Sequence, residues 1–187
     1  DIIVDDHSAA AISFNGDLSN STFNNCSFLA DSDMSAISSQ NIFQEMSGIR
    51  IVSKLKGAFW NDCSLVTSKT LRINSLTNVP KYVHGILFQP GDLNFDSFFM
   101  ESSTWIVTAQ LLAPYTRGIT LSSVAEFVTF SRCTFRFAGE QRSADTQPTT
   151  FHDPKGIILG RNGYTRMKWM NMSSVDFIYE GKMIGTS

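Results

Sequence analysis

Carboxylates are the first residues in this sequence whose type could support chemistry. Hydrolysis of a glycosidic bond needs two of them, one to protonate the leaving group and one to act as base or nucleophile. The segment 138–155 reads AGEQRSADTQPTTFHDPK and carries three, namely Glu140, Asp145 and Asp153. The others that we consider are Asp92, Asp96, Glu101, Glu126, Asp176 and Glu180. No pair stands out by its spacing, so a polysaccharide hydrolase or lyase activity rests on weak candidates.

A second set of residues combines aromatic rings with basic groups. Three segments each carry a proline, an aromatic residue and a basic residue: VPKYVH at 79–84, APYTR at 113–117 and FHDPK at 151–155. An aromatic face can contact a sugar ring, and a guanidinium binds a carboxylate or a hydroxyl pair with its planar fork. The residues that we assign to a carbohydrate-binding edge are Tyr82, His84, Tyr115, Arg117, Phe151 and His152. The alternative is that the prolines stiffen a corner and the rings cover the core.

The spacing of cysteine and histidine does not indicate a metal or a cofactor. The three cysteines are Cys26, Cys63 and Cys133. They form no CxxC motif and have no histidine at metal-ligand spacing. Because their number is odd, we do not expect a disulfide framework. We interpret them as buried free thiols that pack as small hydrophobic residues.

The composition predicts one domain rich in strands. The chain has 187 residues, of which 42% are hydrophobic and 17% charged, enough for one core. A formal net charge of −2 gives no field that would attract nucleic acid or an anionic membrane. The apolar runs are too short to span a membrane, and no signal peptide with a basic start is visible. Fifteen phenylalanines and few helix-forming residues favour strands and turns.

Two features of the sequence repeat with one period. Short segments that open on Ala-Ile or Gly-Ile begin at Ala11, Gly48, Gly85, Gly118 and Gly156, in steps of 37, 37, 33 and 38 residues. An aromatic residue recurs independently at Phe23, Trp60, Phe95, Phe130 and Trp169, in steps of 37, 35, 35 and 39. Such self-similarity is typical of solenoid proteins, in which each unit buries its apolar face against the next.

A polar corner is predicted after each aromatic anchor. Three residues beyond the anchor come Cys26, Cys63, Phe98, Cys133 and Met172, and two further come Phe28, Leu65, Met100, Phe135 and Ser174. Side chains three apart on one strand would face opposite sides, so a two-residue turn must separate them. Asn and Asp suit that turn because they tolerate left-handed backbone. This alignment places Asp96 in the corner and Glu101 outside, beside Arg136.

We therefore predict an all-β fold, a parallel β-solenoid of about five coils of 33–39 residues. The coils begin near residues 11, 48, 85, 118 and 156, residues 1–187 form a single domain, and a long loop covers 138–155. Each coil supplies three short strands, and the segments 71–73 and 105–107 extend the third. Tandem helical repeats and a jelly roll are the rival folds. The first lacks stretches at 3.6-residue spacing, and the second would not keep two anchors in register.

The Gly-Ile openings, the aromatic–corner–Cys segments and the variable loops resemble the right-handed parallel β-helix. This pectate-lyase-like architecture also occurs in bacteriophage tailspikes and tail fibres. The likeness runs from Ala11 to about Phe177 and implies a virion or extracellular location and a homotrimer. Neither end shows a cap in the sequence, which favours a segment of a longer chain or a protein that associates at its ends by stacking on neighbouring segments. The fold hosts many functions, so function does not follow from it.

Two functions remain open at this stage. The first is a carbohydrate-engaging segment of a tailspike or tail fibre that binds a surface polysaccharide and depolymerises it if it is an enzyme. The second is a structural shaft or adhesin stalk without catalysis. Neither function requires a cofactor, nucleic acid or membrane insertion. Carboxylates in a groove beside exposed rings would favour the first function, whereas edges of Ser and Thr would favour the second.

Overall fold

The computed structural model describes residues 3–5, 8–38, 45–75, 81–89, 98–121, 127–142, 154–159 and 169–184. These residues form twenty-one strands and no helix. Nothing helical in the described ranges could therefore cross a membrane. The strands pair in parallel from one coil to the next, apart from β1. The prediction of an all-β parallel solenoid of about five coils is confirmed.

The first two sheets carry the two repeats that were visible in the sequence. Sheet 1 consists of β1 (Ile3–Asp5), β2 (Ser8–Phe14), β6 (Glu45–Ile51), β10 (Tyr82–Phe88), β14 (Tyr115–Leu121) and β18 (Lys155–Leu159). Sheet 2 consists of β3 (Thr22–Asn24), β7 (Ala58–Asn61), β11 (Phe98–Glu101), β15 (Phe127–Ser131) and β19 (Trp169–Ser173). Each coil thus contributes one strand to each of these sheets.

Two further sheets complete each coil. Sheet 3 consists of β4 (Ser27–Asp31), β8 (Ser64–Ser68), β12 (Thr104–Val107), β16 (Thr134–Phe137) and β20 (Asp176–Tyr179). Sheet 4 consists of β5 (Met34–Ser38), β9 (Thr70–Ser75), β13 (Gln110–Leu112), β17 (Glu140–Arg142) and β21 (Lys182–Ile184). The prediction of three strands per coil was wrong, because residues 71–73 belong to sheet 4 whereas 105–107 belong to sheet 3.

The Gly-Ile register is confirmed in all five coils. The isoleucines that pair from coil to coil are Ile12, Ile49, Ile86, Ile119 and Ile157. Glycine precedes the isoleucine in four of the five coils because the interior side chains of sheet 3 approach the backbone there. The first coil has Ala11 at this position. A Cβ on Gly48 would lie 2.1 Å from Thr67, and one on Gly85 would lie 2.4 Å from Val107. These positions exclude any larger residue unless the neighbour moves.

The aromatic register is confirmed in three coils and was wrong in two. Phe23, Trp60 and Phe130 occupy one position of sheet 2, but Met100 takes this position in the third coil and Met172 in the fifth. Phe95 lies outside the described residues, and Trp169 pairs with Phe127 instead. The position requires a large side chain in the interior, and methionine satisfies that requirement as well as an aromatic ring does.

The predicted corner exists between sheets 2 and 3, although its residues differ in the same two coils. Its left-handed residues are Asn25, Asp62, Ser102, Arg132 and Ser174, with φ between 48° and 54°. The residues that follow are Cys26, Cys63, Ser103, Cys133 and Val175. The next interior position of sheet 3 holds Phe28, Leu65, Trp105, Phe135 and Phe177. The corner of the third coil is therefore at Ser102. Asp96, which was predicted there, lies outside the described residues, and Phe98, Met100 and Ser174 do not hold the positions assigned to them.

The predicted pairing of Glu101 with Arg136 was also wrong. Glu101 lies in register with Ser131, and its carboxylate binds the guanidinium of Arg132 in the corner. Arg136 instead donates to Glu180 of the next coil, with its Nε 2.9 Å from Oε2. Both are exposed ion pairs, which contribute little to stability.

The interior is a continuous stack of apolar side chains. Trp60, Trp105 and Phe135 have no exposed surface, and Cys63 and Cys133 are buried as free thiols. Rings from successive coils contact one another, as with Trp105 and Phe135, whose centroids lie 5.2 Å apart. Pairs of this kind add about 0.5–1.5 kcal/mol to the free energy of area burial.

The two ends of the described stack differ. At the first coil, β1 pairs antiparallel with β2, with Val4 opposite Ala9, so one edge of sheet 1 is covered contrary to the expectation of no cap. In the last described coil, side chains of the interior ladders are 43–46% exposed, namely Phe177, Tyr179 and Met183. No described strand pairs with the outer edges of β20 and β21.

Candidate functional site

The outer face of sheet 1 carries the described part of the predicted edge. Met46, Ile49 and Ile51 belong to the hydrophobic core. Because side chains alternate along a strand, with one shift at Gly48, Glu45 and Arg50 face outward. The register then defines this outer face as Ser8, Ala10, Ser13, Glu45, Ser47, Arg50, Tyr82, His84, Leu87, Tyr115, Arg117, Thr120, Lys155 and Ile158.

Two tyrosines and an arginine form the accessible part of this face. Tyr82 and Tyr115 are in register on β10 and β14, and their rings stack with centroids 5.0 Å apart and planes inclined by 28°. The Cζ atom of Arg117 lies 4.6 Å from the centroid of the Tyr82 ring, within the range of a cation–π interaction. All three residues are partly exposed. The structure thus brings together three of the predicted edge residues.

His84 lies behind them and connects three coils. Its Nδ1 is 2.8 Å from the Thr120 hydroxyl on β14, and its Nε2 is 3.0 Å from Oε1 of Glu45 on β6. The two atoms are close enough for an ion pair when the imidazole is protonated, but their geometry is not that of an aligned hydrogen bond. The imidazole is fully buried. A ligand would not reach this ring directly, so His84 acts on the face by holding its neighbours.

Glu45 and Thr120 were missed by the sequence analysis. Neither lies in the three segments that combine proline with a ring, and each is more than thirty residues away from His84. Only the register of β6, β10 and β14 brings them together. Once the Gly-Ile segments are aligned, Glu45 is three residues before its glycine, as Tyr82 is before Gly85. That alignment is the signal that would have found it.

The side chains at the centre of the outer face are not accessible to solvent. Ser47, Leu87 and Thr120 have no exposed surface. Arg50 donates to the hydroxyl of Ser8 in the preceding coil, with Nη1 and Oγ 2.6 Å apart. Lys81, immediately before β10, is also buried, and burial lowers the pKa of its amine. The accessible residues nearest the tyrosine stack are therefore Arg117 and the exposed Lys155, which is in register with Arg117, while Glu45 is 14% exposed.

The remaining candidate residues either lie outside the described part of the chain or belong to other faces of the solenoid. Phe151, His152, Asp145 and Asp153 lie outside the described residues, as do Asp92, Asp96 and Glu126. Glu140 lies on sheet 4, where hydrogen bonds from Arg142 and, more weakly, Gln110 lower the pKa of its carboxyl. A carboxylate held ionised in this way is a poor general acid. Glu101 and Glu180 are in ion pairs on other faces, and Asp176 is exposed on β20.

The described outer face contains few of the groups that glycoside hydrolysis uses. Glu45 is its one carboxylate, whereas glycoside hydrolysis needs two. The described ranges contain no group of three or more His, Cys, Asp or Glu side chains that could hold a metal ion. The accessible groups of this face are two stacked tyrosine rings with their hydroxyls, the guanidinium of Arg117 and the amine of Lys155.

Comparison of the chain with protein-family models, with curated proteins and with solved structures found no match. The argument for a function therefore rests on the arrangement of the residues themselves.

Proposed function

We propose that this chain is a carbohydrate-engaging segment of a β-helical tailspike or tail fibre, and that it binds a surface polysaccharide at the outer face of sheet 1. The observation that carries the proposal is the stack of Tyr82 on Tyr115 with Arg117 over the Tyr82 ring. Rigid aromatic side chains provide contact area at a low cost in conformational entropy. The solenoid fixes them on neighbouring strands, so little ordering is needed on binding.

The way in which a sugar would bind follows from this stack. Since the two rings face each other, part of each ring face is already occupied, and the ligand meets ring edges and phenol hydroxyls. The guanidinium of Arg117 is held by the Tyr82 ring and can donate two parallel hydrogen bonds to a carboxylate or to adjacent hydroxyls. Exposed Lys155 extends the cationic part by one coil. Both neutral and acidic sugars fit this description.

Depolymerisation would be a further activity of the same face. It would require a second carboxylate close to Glu45, whose side chain is 14% exposed. Asp145 and Asp153 are the candidates that precede β18 in the sequence. The homotrimer and the virion or extracellular location belong to the same proposal, and they rest on the resemblance to tailspikes. Light scattering of the purified chain tests the trimer.

The second candidate function is a structural shaft, and one specific observation favours it. The outer face of sheet 3 carries a column of small hydroxyl residues from successive coils, Ser27, Ser64, Thr104 and Thr134. Asp176 continues the column in the fifth coil. A column of small hydroxyl side chains over four coils suits a stalk without a binding cleft. Under this function the tyrosine stack would serve only to join β10 to β14.

The experiment that separates the two functions is the double substitution Tyr82→Ala with Tyr115→Ala. Binding to an array of bacterial surface polysaccharides is measured together with the melting temperature. We expect binding to be lost while the fold is retained. The matched control is Phe99→Ala, which removes a 44% exposed ring from sheet 2 and should leave binding intact. Unchanged binding in a folded double variant would favour the structural shaft.

A further inference from the structure

Two of the three cysteines occupy the position directly after the corner in neighbouring coils. Cys26 and Cys63 each follow a left-handed residue with φ of 52°, Asn25 in the first coil and Asp62 in the second. The backbone on both sides of the corner is in register, since Asn24 pairs with Asn61 and Ser27 with Ser64. The amide of Ser64 also donates to the carbonyl of Cys26 at 2.8 Å. The two cysteines therefore occupy equivalent positions one strand apart.

The distances that this register imposes are close to those of a disulfide. Neighbouring strands lie about 4.8 Å apart, and the Cα atoms of a disulfide lie roughly 4.4–6.8 Å apart. The Cβ atoms must approach somewhat, because in a disulfide they are only about 3.5–4.5 Å apart. A bond formed here would be strained and for that reason readily reduced.

The Cys63 thiol is directed towards the first coil. Its Sγ lies 3.4 Å from the carbonyl oxygen of Phe23. Burial raises the pKa of this thiol, and the neighbouring side chain of Cys26 raises it further. Cys26 is partly exposed whereas Cys63 is buried, so a dissolved oxidant can reach one thiol of the pair and not the other. This is the arrangement of an attacking thiol and a resolving thiol.

Cys133 has the same local geometry without a thiol neighbour. Its Sγ lies 3.4 Å from the carbonyl oxygen of Met100 in the preceding coil. The residue after the corner in that coil is Ser103, whose hydroxyl oxygen accepts a hydrogen bond from the amide of Cys63. Cys63 and Cys133 are thus two strands apart, about 9.6 Å at the strand spacing, which is too far for a disulfide. Cys133 therefore provides a matched control for the pair of Cys26 and Cys63.

We propose that Cys26 and Cys63 form a reversible disulfide that fastens the first coil to the second under oxidising conditions. With oxidised glutathione as the oxidant, the Cys26 thiolate attacks one glutathione sulfur and releases reduced glutathione. The Cys63 thiolate then attacks the Cys26 sulfur of the mixed disulfide and releases a second. The two cysteines lose two protons and two electrons in total, and one oxidised glutathione becomes two reduced ones.

The disulfide would hold the first coil, whose interior side chains are less well buried than those of the second. Phe23 and Phe28 of the first coil are partly exposed, whereas Trp60 of the second is fully buried. Local opening is easiest where few apolar contacts hold an element. Crosslinking the two coils restricts the unfolded chain, so the oxidised protein unfolds at a higher temperature.

The experiment treats the purified chain with oxidised glutathione and maps its peptides without reduction. We expect a crosslink between the peptides of Cys26 and Cys63 in the wild type and in Cys133→Ser, and none in Cys26→Ser. The melting temperature of the wild type should rise by several degrees, at roughly 2–4 °C for each kcal/mol in a chain of this size. Dithiothreitol should reverse the rise.

Three outcomes bear on the assignment of roles. Because the Cys63 thiol has a raised pKa, the mixed disulfide should accumulate on Cys26 at neutral pH and resolve faster at higher pH. In Cys26→Ser, the added substitution Ser103→Cys should create a new intramolecular crosslink, since it puts thiols on adjacent coils. The proposal is overturned if all three thiols stay reduced in the folded wild type, or if Cys26 forms only crosslinks between molecules.

Discussion

Phe23 and Trp60 lie in register on adjacent coils, with their ring centroids 4.8 Å apart and their planes inclined by 49°. Trp60 also contacts Phe14 and Phe28 of the first coil and Phe98 of the third. The indole is therefore shared by three coils, and its loss affects the stack on both sides.

We expect Trp60→Ala to lower the free energy of unfolding by about 3–5 kcal/mol, as truncations of buried aromatic residues do. The reason is the cavity that it would leave among Phe14, Phe23 and Phe28. Urea unfolding followed by circular dichroism measures the change. Leu29→Ala is the control, because Leu29 is 55% exposed and its truncation should change little. Equal effects of the two substitutions would contradict the observed packing.

The glycine column predicts a second effect on stability. In Gly85→Ala, the new Cβ would lie 2.4 Å from Val107 and 2.7 Å from the carbonyl oxygen of Gly118. The Val107 side chain can rotate away, but the Gly118 carbonyl oxygen can move only if the backbone shifts. We therefore expect the free energy of unfolding to fall by roughly 1–3 kcal/mol. The added substitution Val107→Ala should restore part of it. Thermal unfolding of both variants measures this, and a fully tolerated Gly85→Ala would argue against the register.

The register of the isoleucine column could be predicted in all five coils because glycine precedes it in four of them and Ala11 in the first. In those four coils an interior side chain of sheet 3 or sheet-1 backbone lies too close for a Cβ, so the residue type itself marks the position. The aromatic column carries no such restriction. Any large apolar side chain fills it, and Met100 does so while Phe95 five residues earlier resembles the expected anchor. The alignment on aromatic residues was therefore out of register in the third and fifth coils, where Met100 and Met172 take the place of the ring.

The candidate site could be predicted only in part for a similar reason. Tyr82, Tyr115 and Arg117 were found because they recur at equivalent positions of local segments. Glu45 and Thr120 contact His84 through pairing between coils, and nothing in their local sequence indicates that contact. Sheet 4 was missed because its strands are short and separated from those of sheet 3 by only one or two residues, which makes the two strands look like one.

The corner predicts a third effect. Asp62 has φ of 52°, a conformation that costs β-branched residues most. We expect Asp62→Val to destabilise the fold by about 1–3 kcal/mol. Asp62→Asn should be nearly neutral, because Asn25 occupies the same position of the preceding coil with the same φ. Chemical unfolding of the two variants side by side measures the contrast, and similar losses in both would show that the backbone conformation is not the cause.

The fourth prediction concerns acid. The amide of Thr70 donates to Oδ1 of Asp33 at 2.8 Å, and this bond holds the pKa of the Asp33 carboxyl below its ordinary value of 3.8. Since the folded pKa is the lower one, the contribution to stability is complete above the ordinary value and disappears as the pH falls through the folded pKa. Asp33→Asn keeps an oxygen acceptor for Thr70 but does not titrate.

The stability of Asp33→Asn should therefore fall less steeply than that of the wild type between pH 6 and pH 3. Urea midpoints at the two pH values provide the measurement. Ser35→Ala, on the neighbouring strand β5, removes no titrating group and should keep the wild-type slope. An unchanged slope in Asp33→Asn would show that this hydrogen bond does not contribute to acid unfolding.

The last prediction concerns the buried contact between His84 and Thr120, which joins β10 to β14 behind the tyrosine stack. His84→Ala removes the partner of a buried hydroxyl, and Thr120→Val removes the hydroxyl while keeping the shape of the side chain. Each substitution should cost about 1–3 kcal/mol, because it leaves a buried polar group without its bond. The double variant should cost less than the sum of the two, by roughly 0.5–3 kcal/mol.

Combining His84→Ala with Leu29→Ala provides the control, since Leu29 lies on the outer face of sheet 3 and the two effects should add. Full additivity of His84→Ala and Thr120→Val would mean that the 2.8 Å contact has no energetic value. If the contact has that value, polysaccharide binding should weaken in His84→Ala although the ring is buried, because the hydrogen bond fixes β14, which carries Tyr115 and Arg117.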